Sequence, residues 1–291
     1  MSDSPETLIL NVDEAADGVR IDKFLSDTLT EYSRSFIQKI IKDELVLAND
    51  KHVKSNYKVA AGDVLNITVP ECKTPEIEPE NIPLDIIYED KNMIVVNKPA
   101  GQLVQSGRSF ELDLTSEVLN YRREKCEEAY AAVINRLDRP VSGLVLFAKN
   151  KKEASRLSSL MQEEGFCKQY YAVCCGKLPD KNGEFVDYLL KDGKNNVSKV
   201  VKEGTAGAKY AKLLYETLKE IEKDDKVYTL VKVTLITGRH HQIRVQFAHR
   251  NHPLLGDTKY GEERFNNEIA LCAAFLSVDG HEYSIEPSWQ F

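Results

Sequence analysis

Long apolar runs are missing from this chain. No segment reaches the roughly 18 apolar residues that a membrane span requires, so membrane proteins that cross as helices are not expected. Cysteine is sparse, and its placement excludes more than its number does. Cys72, Cys126, Cys167, Cys174, Cys175 and Cys272 contain no CxxC pair and no zinc-ligand spacing. Positive charge is short as well. The formal net charge of -7 argues against indiscriminate nucleic-acid binding by the whole surface, so any such contact would have to come from local basic patches. The segment from Met1 to Glu6 lacks the basic region and apolar core of a signal peptide. Internal repeats and low-complexity tracts are absent too. The expectation is a cytoplasmic protein with no membrane partner. With 291 residues, 42% of them hydrophobic, the chain can bury a full core and is expected to hold two domains.

The first 70 residues read as one small unit. Ile21, Phe24, Leu25 and Leu29 recur at helical spacing, and Phe36, Ile37, Ile40 and Ile41 do so again after a Ser33 cap. A short strand at 45–48 ends in an Asn49-Asp50 turn, and 64–69 alternates with Leu65, Ile67 and Val69 on one face. Between Arg20 and Lys58 stand eight Lys or Arg against six Asp or Glu, a local excess of +2 on an acidic protein. Residues 71–90 then carry seven acids and prolines at 75, 79 and 83, which favours an extended connection. The domain expectation is therefore 1–70, a linker at 71–84, and 85–291. Beyond the linker, helices are expected near 114–121 and 154–161. A hairpin of 208–218 with 226–236 should be joined by an exposed charged loop at 219–225. The fold class expected is α+β, a mostly antiparallel mixed-sheet domain with a central cleft, preceded by a small α/β module.

One stretch outweighs the rest: Asn135-Arg136-Leu137-Asp138-Arg139-Pro140-Val141-Ser142-Gly143, followed by the apolar run 144–148. A carboxylate stands between two arginines, and nearby positive charge favours its ionised form. At a strand edge over a cleft, Asp138 would be a poised nucleophile or base. A surface charge cluster would look the same in isolation.

The stretch resembles the RLD signature of the RluA-type pseudouridine synthases, in which the Asp is catalytic. Companion signatures follow in family order. Val95-Val96-Asn97-Lys98-Pro99-Ala100-Gly101 matches an NKPAG block, and Lys168-Gln169-Tyr170-Tyr171-Ala172-Val173 a KxYxAxV strand. Thr237-Gly238-Arg239-His240-His241-Gln242-Ile243-Arg244 is close to a TGRxHQIR block, followed by His252-Pro253-Leu254-Leu255-Gly256-Asp257. The N-terminal unit resembles the small RNA-binding module named for ribosomal protein S-four, through Arg20-Ile21-Asp22, Ser33-Arg34-Ser35, Gln38 and Gly62-Asp63. It departs at Asp43-Glu44, where a glycine is usual, and at Asn49-Asp50, where Asn-Gly is usual.

The resemblance implies an isomerase that breaks a C1'-N1 bond, turns the uracil over and rejoins it through C5. Asp138 would be the nucleophile or base; whether it attacks the ring, attacks C1' or removes a sugar proton stays open. A carboxylate in a partly dry pocket needs a fixed cation, and Arg244 is the matched partner, expected to hold Asp138 through two parallel hydrogen bonds. Tyr170 would stack on the flipped base or relay a proton, and Arg136 would fill the vacated stack. Arg139, Arg239, His240, Arg20, Arg34 and Lys39 are candidate RNA contacts, with His240 and Arg244 expected on one helical face. Lys98, Pro99, Gly101 and Gly143 read as structural.

No cofactor and no metal are implied. A metal-dependent hydrolase using Asp138, His240 and His241 is disfavoured because Arg136 and Arg139 would repel the cation. A non-catalytic RNA-binding protein is disfavoured because the three matched catalytic residues are retained. The resemblance implies a monomeric pseudouridine synthase acting on RNA, on the large ribosomal subunit because the N-terminal module is present, with transfer RNA as the alternative substrate. The departures at Asn135, Gln105-Ser106 and Cys272, where histidines are usual, bear on substrate choice.

Overall fold

In the N-terminal unit, helical spacing and strand alternation point to a single small core. A computed structural model provides the coordinates, and it describes residues 6–29, 32, 34–69, 84–106, 113–161, 165–266 and 268–289. The Ser33 cap and residues 71–83 of the acidic linker lie outside them. Strand β1 (Glu6–Asn11) pairs with β4 (Val64–Val69), which also pairs with β2 (Val46–Ala48), and β3 (Lys51–His52) closes the order β1-β4-β2-β3. Helices α1 (Ile21–Thr28) and α2 (Arg34–Lys42) cover this sheet, with Ile21, Leu25, Ile37 and Ile40 packed against Val46, Leu65 and Ile67. Each such side chain contributes about 1.5–3 kcal/mol on burial.

The two departures in this unit keep the backbone the usual glycines would allow. Leu45 N donates to Ile40 O and Glu44 N to Ile41 O, a Schellman ending to α2 that places Glu44 at φ 59°. Asn49 and Asp50 lie at φ 50° and 61° in a two-residue turn between β2 and β3.

The chain divides into two compact units, Met1–Glu76 and Ile77–Phe291. The second is built on an eleven-stranded sheet. In chain order its elements are β5 (Ile86–Glu89), β6 (Met93–Lys98), α3 (Leu114–Glu124), β7 (Ala132–Val133), β8 (Ser142–Ala148) and α4 (Lys151–Leu160). Next come β9 (Phe166–Cys175), β10 (Asn182–Asp192), β11 (Val197–Val201), β12 (Lys209–Lys223), β13 (Lys226–Leu235), α5 (Gln242–His249), β14 (Leu271–Val278) and β15 (His281–Ser284). The strand order runs β11-β10-β12-β13-β9-β14-β8-β6-β5, with β15 on β14 and β7 on β8.

Both faces of the middle strands are covered, so they read as continuous apolar runs. From β8, Val145 and Phe147 enter one core with Leu114 and Val118 of α3 and Phe247 of α5. Leu144, Leu146 and Ala148 enter the opposite core with Leu157 of α4.

Among the described strands, β8 and β14 form the one parallel pair, Ser142 opposite Cys272 and Gly143 opposite Ala273. Gly143 sits at φ 124°, and a Cβ there would collide with the backbone of Ala273. That close approach, just after the Asp138 loop, requires glycine.

The hairpin outgrows its expectation. β12 and β13 continue through the charged residues to a two-residue turn at Asp224 and Asp225, both left-handed, at φ 50° and 57°. The turn's twist matches that of the flanking strands, so residues 219–223 pair in the ladder instead of looping, with a register shift between Thr217 and Lys219.

Candidate active site

Three segments far apart in sequence meet around Asp138. The first is its own loop. Asn135 is buried and staples that loop to β8, donating from Nδ2 to Leu144 O (3.0 Å) and accepting from Leu146 N at Oδ1 (2.8 Å). Val141 N closes a turn on Asp138 O at 3.0 Å. The second segment is the loop after β6. The fully buried Lys98 ammonium donates to the carbonyls of Pro99 (2.8 Å), Gln102 (2.9 Å) and Arg139 (3.2 Å), tying the two loops together. Burial brings this amine down to about 8, against the pull of the Asp138 charge. Arg139 Nε donates to Gly101 O at 2.9 Å, reinforcing the same junction.

The third segment carries Arg244, in the first turns of α5. His241 caps that helix from the left-handed region, φ 54° and ψ 26°. Gln242 knots the entry, accepting from Thr237 Oγ1 (2.8 Å) and Arg239 N (3.0 Å) and donating to Lys212 O (3.0 Å). The fork of Arg244 does not grip Asp138 as expected. Its two parallel hydrogen bonds go to Asp257, Nε to Oδ2 at 2.8 Å and Nη2 to Oδ1 at 2.7 Å, while Nη1 alone reaches Asp138 Oδ2 at 3.1 Å. Asp257 wins the fork because it is fully buried and needs the stronger pairing. Its Oδ1 also accepts from the backbone N–H groups of Lys259 (3.0 Å) and Tyr260 (3.3 Å). Burial pulls the Arg244 guanidinium down, but Asp257 and Asp138 outweigh it and hold the group above the ordinary arginine value.

Asp138 is therefore held on one side only. Oδ2 faces Arg244 Nη1 and, at 3.5 Å, Nε2 of His241, whereas no described residue hydrogen-bonds Oδ1. The carboxylate keeps 28% of its side chain exposed while Arg244 keeps 4%. One oxygen is anchored, and the other has no hydrogen-bond partner among the described residues.

Tyr170, on β9, is buried in the core that backs the site. Burial first, and the Asp138 charge second, push its hydroxyl above the usual tyrosine range. Tyr171, its strand neighbour, is half-buried on the opposite face. Arg136 and Arg239 are exposed, Arg239 donating from Nε to Tyr210 O at 2.8 Å. His240 is half-buried and precedes α5, so it does not share a helical face with Arg244; its ring meets Ser198 Oγ at 2.9 Å and Asn196 Oδ1 at 3.1 Å.

Arg20, Arg34 and Lys39 are exposed on the N-terminal unit, where Arg20 grips buried Asp22 through two 3.0 Å bonds and Arg34 stands 3.8 Å from it.

Asp257, Tyr260 and Ser198 are the members that motif reading did not assign a role. The His252–Asp257 block was visible in the sequence, but the burial of Asp257 after a left-handed glycine shows only in the fold. A cavity of about 420 Å³ in this unit, lined by Val96, Lys98, Glu117, Cys272 and Ile285 among others, includes none of Asp138, Tyr170 and Arg244 in its lining. Among the described residues no cluster of three His, Cys, Asp or Glu could hold a metal ion, and no helix is long and apolar enough to cross a membrane.

Residues 92–249 match the RNA pseudouridylate synthase family model, and residues 19–65 match the S4 domain. The chain belongs to the RNA pseudouridylate synthase family. It is 34% identical over 270 residues to the uncharacterised RNA pseudouridine synthase YlyB of Bacillus subtilis, covering 89% of this chain and 86% of that one. It is 33% identical over 270 residues to ribosomal large subunit pseudouridine synthase C of Vibrio vulnificus, covering 89% and 81%. The fold is shared with human RNA pseudouridylate synthase domain containing 4, with a TM-score of 0.60 at 20% identity over 70% of this chain and 88% of that one.

Proposed function

We propose that this pseudouridine synthase modifies uridine in large-subunit ribosomal RNA, with Asp138 Oδ1 as the reacting atom. The observation that carries the chemistry is the one-sided anchoring of Asp138: Arg244, itself held by Asp257, takes Oδ2 and leaves Oδ1 unengaged. A group that must bond to or deprotonate a nucleoside needs a lone pair with no partner to displace. In this reading Tyr170 supports the flipped uracil and Arg136, exposed beside Asp138, occupies the gap in the stack. Arg139, Arg239 and His240 contact RNA near the site, and Arg20, Arg34 and Lys39 contact phosphates from the N-terminal module, positioning rather than specifying. Residues 1–70, 71–84 and 85–291 serve as RNA-binding module, linker and catalytic domain, in a cytoplasmic monomer.

Support for the ribosomal substrate comes from the S4 domain and from relatives named for the large ribosomal subunit. Pseudouridine mapping of total RNA from cells with and without the gene tests it. The expected result is loss of specific sites in large-subunit RNA, restored by the wild-type gene and not by Asp138→Asn. Loss confined to transfer RNA would refute the substrate, and no loss at all would refute the function.

A further inference from the structure

We propose that Tyr260 locks His241 in a single neutral tautomer, its hydroxyl donating to Nδ1 so that the ring proton sits on Nε2 and faces Asp138, making His241 a positioning residue for the reactive carboxylate. The proposal rests on the reading of Asp138 given above. Ser198 N–H donates to Tyr260 Oη at 2.6 Å, and the same oxygen lies 2.8 Å from His241 Nδ1. A backbone N–H can only donate, so Tyr260 Oη accepts there; among the described residues no other group accepts its proton, which leaves Nδ1 to receive it. A neutral imidazole carries one ring proton. With Nδ1 accepting, that proton is on Nε2, which stands 3.5 Å from Asp138 Oδ2.

The surroundings hold the ring in place and keep it neutral. His241 is buried, stacks on His240 with centroids 3.8 Å apart and planes 23° apart, and meets Tyr260 edge-on. The charged and titratable groups facing it are Asp138 from the loop before β8, Arg244 on α5, Lys259 from the loop before β14, and His240. Burial acts first and takes the ring down to about 4; Asp138 opposes this, while Arg244, His240 and Lys259 add to it. Ser198 orders both histidines at once, since its hydroxyl donates to His240 O at 2.8 Å and meets His240 Nδ1 at 2.9 Å.

The consequence for Asp138 is a neutral N–H facing, at 3.5 Å, the oxygen that Arg244 already hydrogen-bonds. A neutral donor orients the carboxylate without giving it a proton at neutral pH. It also adds no further positive charge beside Arg244. Oδ1 is thereby turned outward by two contacts instead of one.

The test is the tautomer itself, read on the intact protein labelled with 15N-histidine by long-range proton–nitrogen NMR. The His241 signal among the six histidines is assigned by its loss in His241→Gln. The expected spectrum shows a bare Nδ1 and a protonated Nε2 from about pH 8 down to about pH 5. A protonated Nδ1, or half-titration near the ordinary histidine value, overturns the proposal. Tyr260→Phe keeps the ring and removes the donor. It should mix the two tautomers and raise the His241 titration by about one pH unit or more; an unchanged tautomer and titration would also overturn it. Neither readout depends on turnover, so absence of pseudouridine formation would refute the function alone, and the tautomer would still be judged on its own spectrum.

Discussion

Both units of this protein pair a buried charge with an exposed one, and they do so in opposite senses. In the N-terminal unit the carboxylate is inside: the Asp22 side chain is 1% exposed and Arg20 is 54% exposed. In the catalytic unit the arginine is inside: Arg244 is 4% exposed and Asp138 28%. A buried acid under a surface arginine fixes the arginine's direction and presents a cation outward, which suits phosphate contact. A buried arginine under a partly open acid presents an anion, which suits chemistry on a base or sugar. The deeper difference is what backs each buried group. Asp22 is backed by Arg20, Arg34 and a long contact from Gln38 Nε2 at 3.5 Å. Arg244 is backed by a second, wholly buried acid, Asp257, so its charge is balanced before Asp138 is reached.

Removing the exposed member of the catalytic pair should have the largest effect. Asp138→Asn keeps the volume and the fold, and single-turnover pseudouridine formation should drop by at least about 10³-fold; easily measured turnover would sink the assignment. Breaking the other pair should cost stability and leave chemistry alone. Asp22→Asn removes the acceptor charge under Arg20 and should destabilise residues 6–69 by about 1–3 kcal/mol, read as faster hydrogen exchange there. The rate on a short RNA should hold, and a matching loss of rate would make Asp22 part of the catalytic machinery.

Acid should separate the two units in the same way. The neutral His241 ring has a folded pKa near 4 against about 6.5 unfolded, so the unfolded chain takes up its proton first as pH falls. Its contribution is complete above about pH 6.5 and is lost as pH falls toward 4. Asp22 is lowered, chiefly by its hydrogen bond from Arg20, so its contribution is lost only below the ordinary aspartate value of 3.8. Chemical denaturation at pH 7.5 and 4.5 should therefore show the catalytic unit weakening from this source, and His241→Gln should flatten the change. Equal acid sensitivity in wild type and variant would remove His241 from the explanation. The smallest effect concerns Glu44, held at φ 59° at the end of α2. Glu44→Gly should stabilise the N-terminal unit by about 1 kcal/mol, measured by thermal unfolding; a loss of stability would show that the side chain matters more than the backbone angle.

Motif order made the family and the fold class legible in the sequence and singled out Asp138 as the candidate, because local chemistry at Asn135–Gly143 and Thr237–Arg244 is dense and specific. What it could not show was the partition of the Arg244 fork. One arginine near two acids looks the same in sequence whichever acid is buried, and only the tertiary return of Gly256-Asp257 decides it. Glu44 was visible as the wrong residue at a glycine position, but whether the backbone had relaxed was not; the Schellman bonds to Ile40 and Ile41 hold it left-handed anyway. The length of the β12–β13 hairpin was missed because charged residues read as loop, whereas their ladder pairing is set by the Asp224-Asp225 turn.

The claim that Arg244 serves Asp138 only because Asp257 fixes it is tested most directly by Asp257→Asn. The amide can accept from Nη2 but turns a donor toward Nε, so the fork is lost while the volume is kept. Single-turnover rate and RNA affinity should be measured together on the full-length protein. The account predicts a rate lower by about 100-fold with affinity within about twofold; a wild-type rate with the folded state intact would contradict it.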